Sequence, residues 1–182
     1  MIKRSPQEIE RISIEQFKCF PKLKLSLILE NIRSLSNIGS VFRSADCFRI
    51  SKIYLTGFSG KPPHRSIQKT ALGSTQSVDW EYAQNSIDVI KCLEKRNIHV
   101  MALEQTDESI SLLDFKPKTN VHYALVVGNE IQGVNQRTLD QVKEAIEIPQ
   151  FGTKHSFNVS NAASIFMWDF FYKVSTSKID GG

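Results

Sequence analysis

The chain has no long apolar run. Its start, MIKRSPQEIERISIEQF, is charged throughout and lacks the apolar stretch of a secretory signal. The longest apolar runs, such as LSLIL, fall far short of the roughly 20 residues that cross a bilayer, so nothing reads as a targeting or anchoring segment and no membrane partner is expected. Cysteine is scarce. Cys19, Cys47 and Cys92 are scattered, with no Cys-x-x-Cys and no nearby His at zinc spacing, which predicts reduced core thiols and a cytoplasmic protein. In that compartment the sequon Asn158-Val159-Ser160 carries no meaning. The four His are dispersed without ligand spacing, and no metal is expected.

The common nucleotide cradles are also missing. No Gly-x-Gly-x-x-Gly follows a strand-like run, and GNEIQGVN has two Gly at Walker-like spacing but Val134 where the phosphate-binding Lys would stand. This argues against the common dinucleotide and nucleoside-triphosphate enzymes. There is no Gly-x-Ser-x-Gly elbow, and Ser156 beside His155 is a poor nucleophile, since sequence neighbours rarely point at each other.

What is present is an ordinary globular composition over 182 residues, enough for one domain spanning 1–182, with no repeat, linker or low-complexity segment. The net charge is +4 and the basic excess is uneven: residues 1 to 60 hold ten Lys/Arg against five Asp/Glu, the rest thirteen against fourteen. Such a surplus suits a polyanion such as RNA, and ordinary solvated charge explains it equally well.

Ser5-Pro6-Gln7-Glu8 has a capping-box pattern, with Ile9, Ile12 and Phe17 following at helical spacing, so residues 1–20 predict a short N-terminal helix. LKLSLILEN reads as a strand. A helix follows from about Asn37, with Ile38, Val41, Phe42, Ala45 and Phe48 on one stripe. KIYLTG is a second strand, then comes a looser Gly/Pro/Lys-rich stretch and VDWEY, a short strand. SIDVIKCLEKRN is helical, IHVMALE a strand, TDESISLLDFKPKTN a connection and VHYALVVG a buried strand. A helix over VNQRTLDQVK, the strand EAIEIP and the closing helix FNVSNAASIFMWDFFYKV complete the chain. Alternation of this kind predicts an α/β fold with a parallel sheet covered on both faces, whose ligands lie at the carboxyl ends of the strands.

The loops leaving those strands (ENIRSLSNIGS, TGFSGKPPHR, EQTDES, GNEIQG, PQFGTKHS) hold most of the Gly and short polar side chains. They bring backbone amides, Asn, Ser, Glu130 and Arg43 toward one edge, although loops are commonly polar without being functional. HSFNVSNAASIF sharpens the point. Ser156, Asn158, Ser160 and Asn161 run into an apolar helix, and a helix start needs one cap, not four.

Three stretches, LENIRSLSNIGSVFRSADCF, ALVVGNEIQGVN and IEIPQFGTKHSFNVSNAASI, resemble motifs one, two and three of the SPOUT class of S-adenosylmethionine-dependent RNA methyltransferases, in the TrmH-like branch that methylates ribose 2′-hydroxyls. The resemblance runs from about residue 26 to 172, and HRSIQKTALGSTQSVDWEY adds to it. It implies an α/β/α sandwich with a C-terminal deep trefoil knot over about 121–172, S-adenosylmethionine as cofactor, tRNA or rRNA as partner, and a homodimer through helices flanking the knot. FMWDFF suits such an interface, and burial in the protomer core explains part of it as well.

Carried over by position, Asn37 and Arg43 match Asn-x-Gly-x-x-x-Arg of motif one, the Arg essential in relatives and the Asn holding the site or the dimer. Gly128, Asn129, Glu130 and Gly133 match motif two, which lines the cofactor pocket. Ile148, Pro149, Gly152, Ser156, Asn158 and Ser160 match motif three, and Leu103 resembles a strand-end residue that contacts cofactor through its backbone. The resemblance thus implies Arg43, Asn37, Glu130, Ser156 and Asn158 for catalysis and Leu103, Gly128, Asn129, Gly133, Ile148 and Phe157 for cofactor binding.

The chemistry suits these types. A ribose hydroxyl is a weak acid that must be polarised or deprotonated and aimed in line at the methyl carbon. Arg43 acts as base or, since guanidinium holds its proton tightly, as electrostatic stabiliser of the forming alkoxide. Ser156 and Asn158 orient Arg43 or the ribose, and Glu130 fixes the knot loop or Arg43 or simply favours a helix N-terminus.

This sequence departs from the family pattern at Arg49, where relatives usually have Gly, at Phe157 for Leu and at Gln150 for Met. Arg49 adds a basic contact or strains a turn. With only a short leading helix, RNA selection falls to the core, to that helix with Lys3, Arg4 and Arg11, or to a partner. Two alternatives stand beside ribose methylation: a noncatalytic RNA-binding module of the same fold, and a base-methylating knotted relative.

Overall fold

Seven strands carry the architecture. The computed structural model describes residues 1–5 and 12–176. In it β1 (Leu23–Glu30), β2 (Ile50–Thr56), β3 (Trp80–Ala83), β4 (His99–Leu103), β5 (Ile110–Ser111), β6 (Tyr123–Val127) and β7 (Ala145–Glu147) form one sheet in the order β3-β2-β1-β6-β4-β7-β5. Every pairing is parallel, so all carboxyl ends share one edge. The register aligns Leu55, Leu29, Val127, Leu103 and Ile146 in one row across the sheet. The loops that leave β2, β1, β6, β4 and β7 therefore start side by side.

The strands read as continuous apolar runs because both faces are covered. Helices α2 (Leu35–Cys47), α3 (Arg65–Ala71) and α7 (Val159–Thr176) pack on one face, where Phe42, Ile67, Phe166 and Phe170 meet Leu27 and Leu29 of β1. On the other face Val89, Ile90 and Leu93 of α5 (Ser86–Lys95) pack against Ile28, Val100 and Val126. Successive β1 side chains thus point to opposite layers, as a pleated strand requires. Phe42 and Phe166 are wholly inaccessible, and burial of each contributes about 1.5–3 kcal/mol.

Connectivity places β6 between β1 and β4; the chain then skips β4 to add β7 beyond it. Helix α7 returns to α2, where the Ser44 and Ser164 hydroxyls lie 2.8 Å apart. Gly39 governs the neighbouring contact: a Cβ there would sit 2.1 Å from Thr70 Oγ1 and 2.3 Å from the Ile67 carbonyl oxygen, so only glycine lets α2 and α3 approach this closely.

The structure corrects several sequence expectations. The helix start expected at Ser5-Pro6 runs into residues 6–11 and lies outside the described residues; within them α1 (Ile14–Cys19) is capped by Ser13, whose hydroxyl accepts the Gln16 amide at 3.2 Å while Gln16 Oε1 accepts the Ser13 amide at 2.8 Å. The stretch expected to be loose holds α3 and α4 (Ser74–Ser77), joined by Leu72 and Gly73 at positive φ. The helix expected over VNQRTLDQVK is a single turn, α6 (Gln136–Leu139), capped by Asn135. The connection after β4 contains the two-residue β5 at the sheet edge. All three cysteines are free but exposed, not in the core: Cys19 and Cys47 end their helices and Cys92 lies on the open face of α5. Among the described residues no helix is long and apolar enough to cross a membrane, and no group of three or more His, Cys, Asp or Glu could hold a metal.

Candidate active site

Residues 128–135, which leave β6, fold into a tight turn in which Asn129 and Gly133 exchange N–H···O bonds of 2.9 Å. Glycine is required at both ends. Gly133 has φ 67, and a Cβ on Gly128 would lie 2.2 Å from the Gly133 carbonyl carbon. Side chains then fasten the turn to its neighbours. The Asn129 side-chain amide donates to the Asn31 carbonyl at 2.7 Å, and its oxygen accepts the Ile131 and Gln132 amides at 2.9 and 3.1 Å. Glu104 accepts the Val134 amide at 2.8 Å; Glu30, buried at 4% exposure, accepts the Asn135 amide at 2.9 Å and the Thr138 hydroxyl at 2.6 Å.

From the tip of this turn Glu130 reaches the start of α2. Its carboxylate accepts the Arg33 and Ser34 amides at 3.0 and 2.9 Å and the Asn37 side-chain N–H at 3.0 Å. Partial burial alone would raise the Glu130 pKa; the bonds from Arg33, Ser34, its own amide and Asn37 outweigh that and lower it from the ordinary value. Asn37 in turn accepts from the Asn158 side chain at 3.1 Å. Asn158 Oδ1 accepts the Ser160 amide at 3.0 Å, the Ser160 hydroxyl at 2.7 Å and the Asn161 amide at 3.4 Å. Asn158 is therefore the cap of α7, which also links that helix to Asn37 and Glu130. Ser160 is buried beneath it, while Ser156 and Asn161 remain exposed.

Beside this chain of bonds lies a cavity of about 270 Å³. Leu103, Gly128, Asn129, Gly133, Ile148 and Phe157 line it, as do Glu130 and Ser156. The same wall includes Glu104, Gln105, Glu147, Gln150 and His155, and no Lys or Arg. Glu104 escaped the sequence reading although the signal was available: it is the first residue after Leu103 at the end of β4, inside a loop already marked by the strand-end rule.

Arg43 stands apart. It is exposed on α2 and shares no hydrogen bond with Ser156 or Asn158; it lines a separate groove of about 990 Å³ with α1 and the turn between α3 and α4. Glu130 thus fixes the start of α2 and Asn37, not Arg43.

The SpoU rRNA Methylase family model matches residues 24–168. The 23S rRNA (guanosine-2′-O-)-methyltransferase RlmB of Blochmanniella floridana is 27% identical over 147 residues, covering 81% of this chain and 57% of that protein. The chain spans about 60% of the length of the curated relatives it matches. The A. aeolicus TrmH/SpoU tRNA modifying enzyme has a similar fold (TM-score 0.79, 22% identity, 91% of this chain and 84% of that one). So does the SpoU methyltransferase AviRb from Streptomyces viridochromogenes in complex with AdoMet (TM-score 0.77, 20% identity, 91% and 65%). The family match takes in most of the chain, including β1, the 128–135 turn and the Asn158 cap, and the fold agrees with it: the chain belongs to the SpoU rRNA methylase family.

Proposed function

We propose that the protein transfers a methyl group from S-adenosylmethionine to a ribose 2′-hydroxyl in tRNA or rRNA. The observation that carries this is the character of the cavity wall: carboxylates at Glu104, Glu130 and Glu147 and no cation. A polyphosphate is disfavoured there, whereas a positively charged sulfonium is favoured. Apolar Leu103, Ile146, Ile148 and Phe157 suit the faces of an adenosine, and the amides and carbonyls of the 128–133 turn suit its polar edges. The residues fit the cofactor, which when bound supplies an electrophilic methyl group.

The chain's own residues do the rest. Glu130, Asn37 and Asn158 hold the 128–133 turn, the start of α2 and the start of α7 in one arrangement, so the cavity is organised in advance. Ser156 lies at its exposed lip, where its hydroxyl can meet an acceptor ribose. Arg43 polarises the 2′-hydroxyl and stabilises the forming alkoxide when it is brought to that lip, the hydroxyl proton passing to solvent water.

A homodimer is part of this reading. Trp168 and Tyr172 of α7 are more than half exposed, Phe171 is 37% exposed, and with Phe48 of α2 they form one aromatic surface. A patch of this kind is characteristic of interaction sites, and it lies on α7 against Phe48, which caps α2, the helix that carries Arg43. By the same reading the C-terminal part, about 121–172, forms the trefoil knot, 1–182 is one domain, and exposed free thiols suit the reducing cytoplasm.

The test is transfer of labelled methyl from S-adenosylmethionine to tRNA and rRNA, followed by alkaline digestion. The expected product is an alkali-resistant dinucleotide, because a methylated 2′-oxygen cannot attack the adjacent phosphodiester. Label in alkali-labile mononucleotides would indicate a base methylase, and RNA binding without labelling would indicate a binding module.

A further inference from the structure

Arg49 ends α2 in the left-handed region, with φ 50. Its backbone is fully used there: the amide donates to the Asp46 carbonyl at 3.0 Å, and its own carbonyl accepts the Leu23 amide at 2.8 Å. Glycine meets those demands with less strain. The guanidinium contributes nothing to that backbone geometry, and the side chain is exposed. It lines the same groove as Arg43, and Leu72 and Gly73 of the α3–α4 turn and Ser13, Ser74 and Ser77 are part of the lining. Among the described residues Asp46 is the groove's one lining carboxylate, and the Ser77 hydroxyl already donates to it. Two guanidiniums thus line a space that holds little competing negative charge among the described residues, the reverse of the cofactor cavity.

We propose that this groove holds the phosphodiester backbone of the RNA acceptor, with Arg49 binding one phosphate beside Arg43. The inference rests on the methyltransferase reading and specifies how this domain grips RNA: Arg49 contributes affinity and register, not chemistry. Guanidinium suits the task through its fixed charge and forked donors.

The test compares wild type, Arg49→Gly and Arg49→Lys in binding a fluorescent single-stranded oligoribonucleotide by anisotropy at 50 to 200 mM salt. Thermal unfolding and calorimetric binding of S-adenosylmethionine accompany it. Arg49→Gly is expected to weaken RNA binding several-fold and to reduce the slope of log affinity against log salt by roughly 0.7, the amount for one single-strand phosphate contact. Its Tm should hold or rise as the strained position relaxes, cofactor affinity should not change, and Arg49→Lys should keep most of the slope. The guanidinium also lies 5.8 Å from the Phe20 ring centroid. If packing on Phe20 is its role, Arg49→Gly will lower Tm and leave the salt slope intact, which overturns the proposal. Methyl transfer with an unchanged slope would remove the groove assignment and leave the enzyme reading standing. An Arg49-dependent slope without transfer would do the opposite.

Discussion

The cofactor cavity and the Arg43 groove use charge in opposite ways. Around the cavity, Glu30, Glu104 and Glu130 are committed to backbone amides, so loops that share no sequence proximity are tied into one wall before anything binds. Along the groove, Arg43 and Arg49 make no ion pair among the described residues, and their donors stay available. The difference teaches where organisation has been built in. On the proposed reading a small cationic donor meets a finished site, whereas a polyanion completes its own.

The largest effect expected from breaking that contrast comes at Gly128. Val there must displace the Gly133-Val134 backbone, which lies 2.2 Å from a Cβ. Overpacking of about 3 kcal/mol corresponds to roughly a hundredfold loss of S-adenosylmethionine affinity, measurable by calorimetry; unchanged affinity would show that the turn does not shape the cavity. Next is Asn37→Ala, which removes the link between Glu130 and Asn158. A loss of about 1–2 kcal/mol of preorganisation predicts roughly a tenfold lower kcat, with Tm lowered by a few degrees.

Glu130→Gln should lower Tm by about 2–4 °C, the consequence of about 1 kcal/mol in a chain of this size, because a neutral amide binds the Arg33 and Ser34 amides less strongly. The smallest effect is pH dependence. Glu130 has a lowered pKa, so its contribution is full above the ordinary carboxylate value of 4.5 and is lost as pH falls through the folded value. His122, 3.0 Å from the Ser26 hydroxyl, is lowered first by burial and then by Arg96 and Lys24, so the fold favours its neutral form. Stability should therefore decline as pH drops below about 6.5, and His122→Asn should flatten that first decline in Tm.

Much of this was legible in the residues. Apolar runs marked the larger strands, and Gly128 and Gly133 stood in a loop that the strand-end rule marks; that a side chain at Gly128 would strike the Gly133 backbone is seen only in the fold. Asn158 was more ambiguous: its neighbours suggested a surplus of caps, and only the fold shows one cap, one buried hydroxyl and two exposed groups. The length of α6 was misread because TLDQVK has helical spacing, yet the chain needs those residues to reach β7 beyond β4. Arg43 was the hardest. Six residues separate it from Asn37, about 9 Å along a helix and well around its circumference, so membership of one motif did not place both at one cavity. Glu104 stands in a loop that the strand-end rule marks, but its partners are backbone amides, so its position was legible and its role was not.

The separation of donor cavity and Arg43 is tested most directly by measuring S-adenosylmethionine affinity and methyl transfer on one preparation of Arg43→Ala. Transfer should be abolished while the calorimetric Kd stays at the wild-type value. Retained transfer, or a Kd that fails in step with activity, would contradict the account.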